Sequence, residues 1–176
     1  MKPGTLVRRF LTPGFVVTVR AYLKYGCLVS PKAEVEITPH LRIGRNSVIG
    51  SFTKVKATDG PLHIGANVEI ANGCVLTSHT AGLTIGDDTL IGPNVSIIGN
   101  NYRYDRLDVP IRLQEKVSAK GIRIGANVWI GASCVLLDGA DVGSGSILTP
   151  GSVVSARLAE NSIAQGNPAK VIFTRR

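Results

Sequence analysis

The chain has 176 residues, 44% of them hydrophobic and only 5% aromatic, and a net charge of +8. That is enough apolar material for one elongated domain. No apolar run approaches the ~20 residues of a membrane span, and the first residues lack a signal-peptide stretch with a cleavage site, so a cytoplasmic protein is expected. Basic residues do not interleave with aromatics along a groove, which argues against a nucleic-acid partner. Cys27, Cys74 and Cys134 are odd in number and far apart, as suits buried free thiols rather than disulfides or a metal site.

Residues 1–36 form a basic opening segment. Lys2, Arg8, Arg9, Arg20, Lys24 and Lys32 all precede the first acid, Glu34, so six of the eight excess charges lie in residues 1–33. Pro13-Gly14 divides the segment, and Phe15 to Lys24 reads as a short amphipathic helix. Two roles are open. The segment caps a sheet edge that would otherwise lie bare, or it lies against a membrane surface through Phe10, Phe15, Tyr22 and the cations.

From residue 37 to 158 one phrase keeps returning: LRIGRNSVIG, LHIGANVEIA, LTIGDDTLIG, IRIGANVWIG. The aliphatic frame has a period of six and runs through Ile43, Ile49 and Val55, then Ile64, Ile70 and Leu76, then Ile85, Ile91 and Ile97. It resumes at Ile124, Ile130, Leu136, Val142, Leu148 and Val154. A fixed period of this kind predicts a β-solenoid, in which three short strands close each coil and stacked coils pair at ~4.8 Å. The frame residue points inward, and the fifth place of the hexad (Ser47, Val68, Cys74, Thr89, Val95, Cys134, Ser146) fills a narrowing corner. Corners need left-handed backbone, which suits the Gly, Asn and Asp found there. Two coils carry three extra residues, and a long loop is inserted over residues 100–120. Residues 159–176 read as a C-terminal tail.

The stretch IRIGANVWIGASCVLLDGADVGSGSILTPGSVV, followed by GNPAKVI, resembles the hexapeptide-repeat acyltransferases, the family of galactoside, maltose, xenobiotic and serine acetyltransferases. The resemblance covers about residues 37–170. It implies an all-β, left-handed parallel β-helix shaped as a triangular prism, although parallel crossovers are otherwise right-handed. It also implies a homotrimer with acetyl-coenzyme A, the acyl donor, in a groove between neighbouring prisms.

The family's site residues map onto particular positions. Asn72 matches the acceptor and acyl end of the groove. His79, in SHTAGLTIG, resembles the segment that carries the catalytic histidine of serine acetyltransferases, and an imidazole is suited to take a proton from an attacking alcohol. Asp59 lies one coil earlier, where that branch places an orienting acid. The insertion resembles the loop that opens on the catalytic histidine of the galactoside and xenobiotic enzymes, but Tyr102 stands in its place, and a phenol titrating near ~10 is a poor base. His79 and Tyr102 follow the same frame position in successive coils and are expected at one corner. Arg103, in the insertion, is a candidate for binding an anionic acceptor. Trp129, Ala132, Pro150 and Ser155 match positions along the donor groove, with Ala156 where the family has a lysine, and Lys170 matches a cation that meets the nucleotide phosphates.

These matches point to an O-acetyltransferase that moves acetyl from acetyl-coenzyme A directly to a sugar hydroxyl, in surface polysaccharide or lipopolysaccharide assembly. A small-molecule or lipid-linked sugar acceptor is expected. Tyr102 keeps open a scaffold protein that has lost the chemistry, and a serine-acetyltransferase-like enzyme is a third reading. His40, His63 and His79 lack the spacing of a carbonic-anhydrase-like metal site on this fold.

Overall fold

The computed structural model describes residues 13–57, 59–117 and 120–176, so the basic piece over residues 1–12 lies outside the described residues. The chain winds into a three-faced prism of short parallel strands. One face (face A) stacks Leu28–Val29, Val48–Ile49, Glu69–Ile70, Leu90–Ile91, Trp129–Ile130, Ile147–Leu148 and Ser162–Gln165. Face B stacks Glu34–Val35, Lys54–Lys56, Val75–Thr77, Ser96–Ile98, Val135–Leu137 and Val153–Val154. Face C stacks Leu41–Ile43, Leu62–Ile64, Leu83–Ile85, Ile122–Ile124, Asp141–Val142 and Arg157–Leu158.

Side chains alternate in and out along each strand, and every residue of the predicted aliphatic frame, from Ile43 to Val154, is buried. The seven predicted corner residues are buried as well. Their polar members have a second task. Ser47 Oγ donates to the Gly65 carbonyl at 2.8 Å and accepts from the Val68 amide at 3.0 Å, tying one coil to the next. Thr53, Thr89 and Ser146 repeat this pattern. Burying these hydroxyls therefore carries no unpaired-donor cost. Asn46, Asn67, Asp88, Asn94, Asn127 and Ser133 hold the expected left-handed corners. Phe52 departs from that pattern: it takes φ +61° with its ring exposed and the Lys32 ammonium 5.7 Å above it.

Both ends of the solenoid differ from expectation. The coils begin at Leu28, before residue 37, because Val29 and Val35 already point inward six residues apart. Beyond residue 158 there is ladder rather than tail: Ser162–Gln165 extends face A, and Lys170–Thr174 returns antiparallel along it. The predicted helix is present as α1, Gly14–Tyr25, and closes the first coil. Ala21 is fully buried, Thr18 Oγ1 donates to the Val29 carbonyl at 2.8 Å, and the Tyr25 hydroxyl donates to the Leu41 carbonyl at 2.8 Å. Gly26, at φ +66°, ends the helix in the left-handed conformation.

Neighbouring positions on one strand should thus respond oppositely. Ile85→Ala, inside the prism, is expected to cost about 2–5 kcal/mol, whereas Thr84→Ala, on the exposed outer side of face C, should change stability by less than about 0.5 kcal/mol. Urea unfolding of the two variants measures this, and equal losses would contradict the inward frame.

Candidate functional site

The extra residues of the coils and the long insertion leave the prism at one edge, between faces B and C. The extra residues of two coils lie between Lys56 and Leu62 and between Thr77 and Leu83, and the insertion lies between Ile98 and Ile122. Because Thr77 and Ile98 are aligned rung on rung, His79 and Tyr102 emerge from the same edge in consecutive coils, as expected.

His79 is half-buried. Its carbonyl accepts the Gly82 amide at 2.8 Å, closing a tight turn, and its Nδ1 lies 3.2 Å from Thr80 Oγ1. Gly60, one coil below, makes this placement possible, since a Cβ there would sit 1.9 Å from the His79 carbonyl oxygen. Among the described residues no hydrogen bond or ion pair joins Asp59 to His79, so the partner seen on the ring is Thr80. The sequence carried that signal only as a hydroxyl next to the histidine.

Above this corner the insertion folds into an arm. Asn101–Tyr102 pairs antiparallel with Lys116–Val117, and Gln114 closes the tip by donating to the Arg106 and Val109 carbonyls, each at 2.8 Å. Tyr102 is 40% exposed. Arg103, the candidate for an anionic acceptor, is engaged by its own loop: Nη2 and Nε bind the Asp105 carboxylate at 2.7 and 3.1 Å. The guanidinium holds the Asp105 carboxyl below the ordinary carboxylate range, and Arg106 does the same to Asp108. At the foot of the arm a cavity of about 210 Å³ is bordered by Ala81, Thr84, Lys120, Arg123 and Asp141. Nothing in the repeat spacing marks this cavity.

The other predicted residues fall elsewhere on the prism. Ser155 follows Val154, which pairs with Leu136, and so lies at the B–C edge above the arm. Asn72, Ala132 and Pro150 are corner residues of the opposite edge, between faces A and B. The corners there are joined by the Asn94 amide on the Asn72 carbonyl at 3.0 Å and the Gly151 amide on the Ala132 carbonyl at 2.9 Å. Asn72 Oδ1 itself accepts the Ser51 amide at 2.8 Å. Trp129 stands on the outer side of face A between Leu90 and Ile147, 51% exposed. Lys170 is exposed on the returning strand opposite Gln165. Within one chain, then, His79, Tyr102, Arg103 and Ser155 share an edge, and Asn72, Ala132, Pro150 and Trp129 do not reach it.

The cysteines lie inside. Cys74 Sγ and Cys134 Sγ donate to the Gly92 and Thr149 carbonyls, each at 3.2 Å, as the corner hydroxyls do. Burial pushes all three thiols up, Cys27 to about 11. None supplies a thiolate near neutrality, which disfavours a covalent acyl-cysteine. Burial of Cys27 also makes stability depend on pH. The folded state keeps a proton that the unfolded state loses, so this contribution is whole below about pH 9 and is lost as pH rises toward about 11. Native protein at neutral pH should resist alkylation by iodoacetamide, with all three thiols reacting in denaturant; mass spectrometry showing rapid native labelling would contradict the burial.

Comparison with known proteins agrees with this architecture. The model described as "Bacterial transferase hexapeptide (six repeats)" matches residues 121–156, and that described as "Hexapeptide repeat of succinyl-transferase" matches residues 40–78 and 82–100, so together they span more than half of the chain. The chain is 34% identical to the galactoside O-acetyltransferase of Escherichia coli over 63% of its own length and 53% of that protein's. It is 24% identical to the putative lipopolysaccharide biosynthesis O-acetyl transferase WbbJ of Escherichia coli, over 95% of this chain and 91% of the other. It spans about half the length of that galactoside enzyme and of two other curated relatives that it matches. Among solved structures, AntD, an N-acyltransferase from Bacillus cereus in complex with dTDP and 3-hydroxybutyryl-CoA, superposes with a TM-score of 0.74 at 20% identity, over 86% of this chain and 81% of that one. That likeness shows the fold, a left-handed parallel β-helix.

Proposed function

Because the chain belongs to the hexapeptide-repeat acyltransferase family, we propose that it is an acetyl-coenzyme A-dependent O-acetyltransferase acting on a sugar hydroxyl in surface polysaccharide or lipopolysaccharide assembly. The near full-length similarity to WbbJ supports the substrate class. The observation that carries the chemistry is His79, half-buried on the one edge where the arm also arises, with its ring nitrogen beside Thr80. In this reading the acceptor hydroxyl oxygen bonds to the acetyl carbonyl carbon, the thioester C–S bond breaks, and the imidazole takes the hydroxyl proton and passes it to the departing thiolate. Lys170 meets the nucleotide phosphates, and Asn72, Trp129, Ala132, Pro150 and Ser155 line the groove for the acyl arm. In this reading the protein works in the cytoplasm, on a small-molecule or lipid-linked sugar, the latter at the inner face of the membrane.

Since one chain separates His79 from the Asn72 edge, the complete site requires a neighbouring copy, and a homotrimer is part of the proposal. Face A supports it. Its outer positions read Leu28, Val48, Glu69, Leu90, Trp129, Ile147 and Ile163, an apolar column broken by a single charge. A column of this kind is the surface expected to be covered in an assembly. Sedimentation should give three times the 18.6 kDa chain mass, and Leu90→Glu should dissociate it; a wild-type monomer at micromolar concentration would refute the shared site.

His79→Ala is expected to lower kcat by roughly 10²- to 10⁴-fold without weakening acetyl-coenzyme A binding, whereas Lys170→Ala should raise the KM for the donor by ~10-fold with kcat nearly unchanged. Tyr102→His should alter the rate only modestly. A silent His79→Ala together with activity created by Tyr102→His would instead identify a protein whose chemistry has lapsed.

A further inference from the structure

Helix α1 has two apolar sides, and the solenoid uses one. Ala21, Val17 and Tyr25 pack on the first coil, and Thr18 is tied to it by a hydrogen bond. About half a turn away, Phe15, Val19, Tyr22 and Leu23 are 65%, 53%, 61% and 78% exposed, forming a stripe about 100° wide at helical spacing. A helix that merely capped the prism would turn polar residues to water.

We propose that this outer side of α1 docks the protein on a membrane, seating Phe15, Val19, Tyr22 and Leu23 at the headgroup boundary of a bilayer that carries anionic lipid. Charge selects this occupant. Arg20 and Lys24 border the stripe on one flank, Arg45 stands beside the helix C-terminus, and no acid occurs before Glu34. An apolar stripe with cations on one flank and no acid beside it in the helix fits an anionic surface. It does not fit a second copy meeting end to end, which would bring Arg20, Lys24 and Arg45 against their equivalents. Residues 1–12 add Lys2, Arg8 and Arg9, charge of the same sign. No helix among the described residues is long and apolar enough to cross a membrane. This inference deepens the reading of a lipid-linked acceptor and rests on it for its purpose, while lipid binding itself is measured without turnover.

The test is co-sedimentation of the full chain with vesicles of phosphatidylcholine mixed with phosphatidylglycerol, and with phosphatidylcholine alone. Binding to the mixed vesicles should be at least about 10-fold tighter and should weaken as salt is added. Phe15→Ser with Leu23→Ser should weaken it by roughly 10-fold or more, and Arg20→Gln with Lys24→Gln should remove most of the preference for the anionic lipid. These side chains are exposed, so unchanged thermal unfolding is the check that both variants fold. Absent binding to the mixed vesicles, or binding that ignores the Phe15 and Leu23 substitutions, overturns the proposal. So does a salt-insensitive doubling of mass in free solution that those substitutions abolish, since the stripe then belongs to a second copy. Vesicle binding by a protein that acetylates no acceptor would sink the enzymatic reading and leave this one standing; turnover on a soluble sugar without vesicle binding would do the reverse.

Discussion

The structure depends on register. Each strand pairs with its equivalent in the next coil, as when Ile43, Ile64, Ile85 and Ile124 stack in one line, and a slip of one residue would turn every inward aliphatic chain to water. The repeat length sets that register and the buried corner hydroxyls lock it, because Ser47, Thr53, Thr89 and Ser146 each bridge two coils. Where the corner residue is a cysteine, the thiol makes the same bridge. The cysteines are therefore explained as structural donors, and their protonated state follows from their burial.

Register also gives each face one character along its length. Face C presents Arg42, His63, Thr84, Arg123, Asp141 and Arg157 and is a solvated wall. Face A presents the apolar column that includes Trp129. Extra residues are tolerated only at corners, since an insertion within a strand would break the ladder above and below it. The arm and His79 share an edge for that reason.

The repeat was legible because Ile-Gly recurs at a fixed period, and the burial of the whole frame follows from it. The ends were not. Val29 and Val35 keep the six-residue spacing but are followed by Ser30 and Glu36 instead of glycine, and the frame shortens after Val154, where Leu158 and Ala164 are the next inward chains. At the site, the sequence placed His79 and Tyr102 at one corner, because spacing alone decides that. It did not show that Arg103 is held by Asp105, nor that Thr80 rather than Asp59 meets the imidazole, because both depend on how corner chains turn. The second apolar side of α1 was visible as composition, but which side the coil would bury was not.

A prism this thin has no room for an internal site. Its interior is filled by Ile, Leu and Val from three walls, each one strand thick, so chemistry is confined to the outside, where a single edge exposes any ligand to water on most sides. Enclosure has to come from material beyond the regular coil. The arm, closed on itself by Gln114, rises from the same edge as His79, and the cavity at its foot is bordered by Lys120, Arg123 and Asp141. In the proposed trimer the remaining wall comes from another copy. The residues matched to the acyl groove, Asn72, Ala132 and Pro150, stand on the far edge of face B, and bringing such an edge against His79 takes a second prism rather than a rearrangement of the first. Threefold packing would complete three sites at once and cover the apolar column of face A, so a single geometric step would satisfy the chemistry and the exposed surface together.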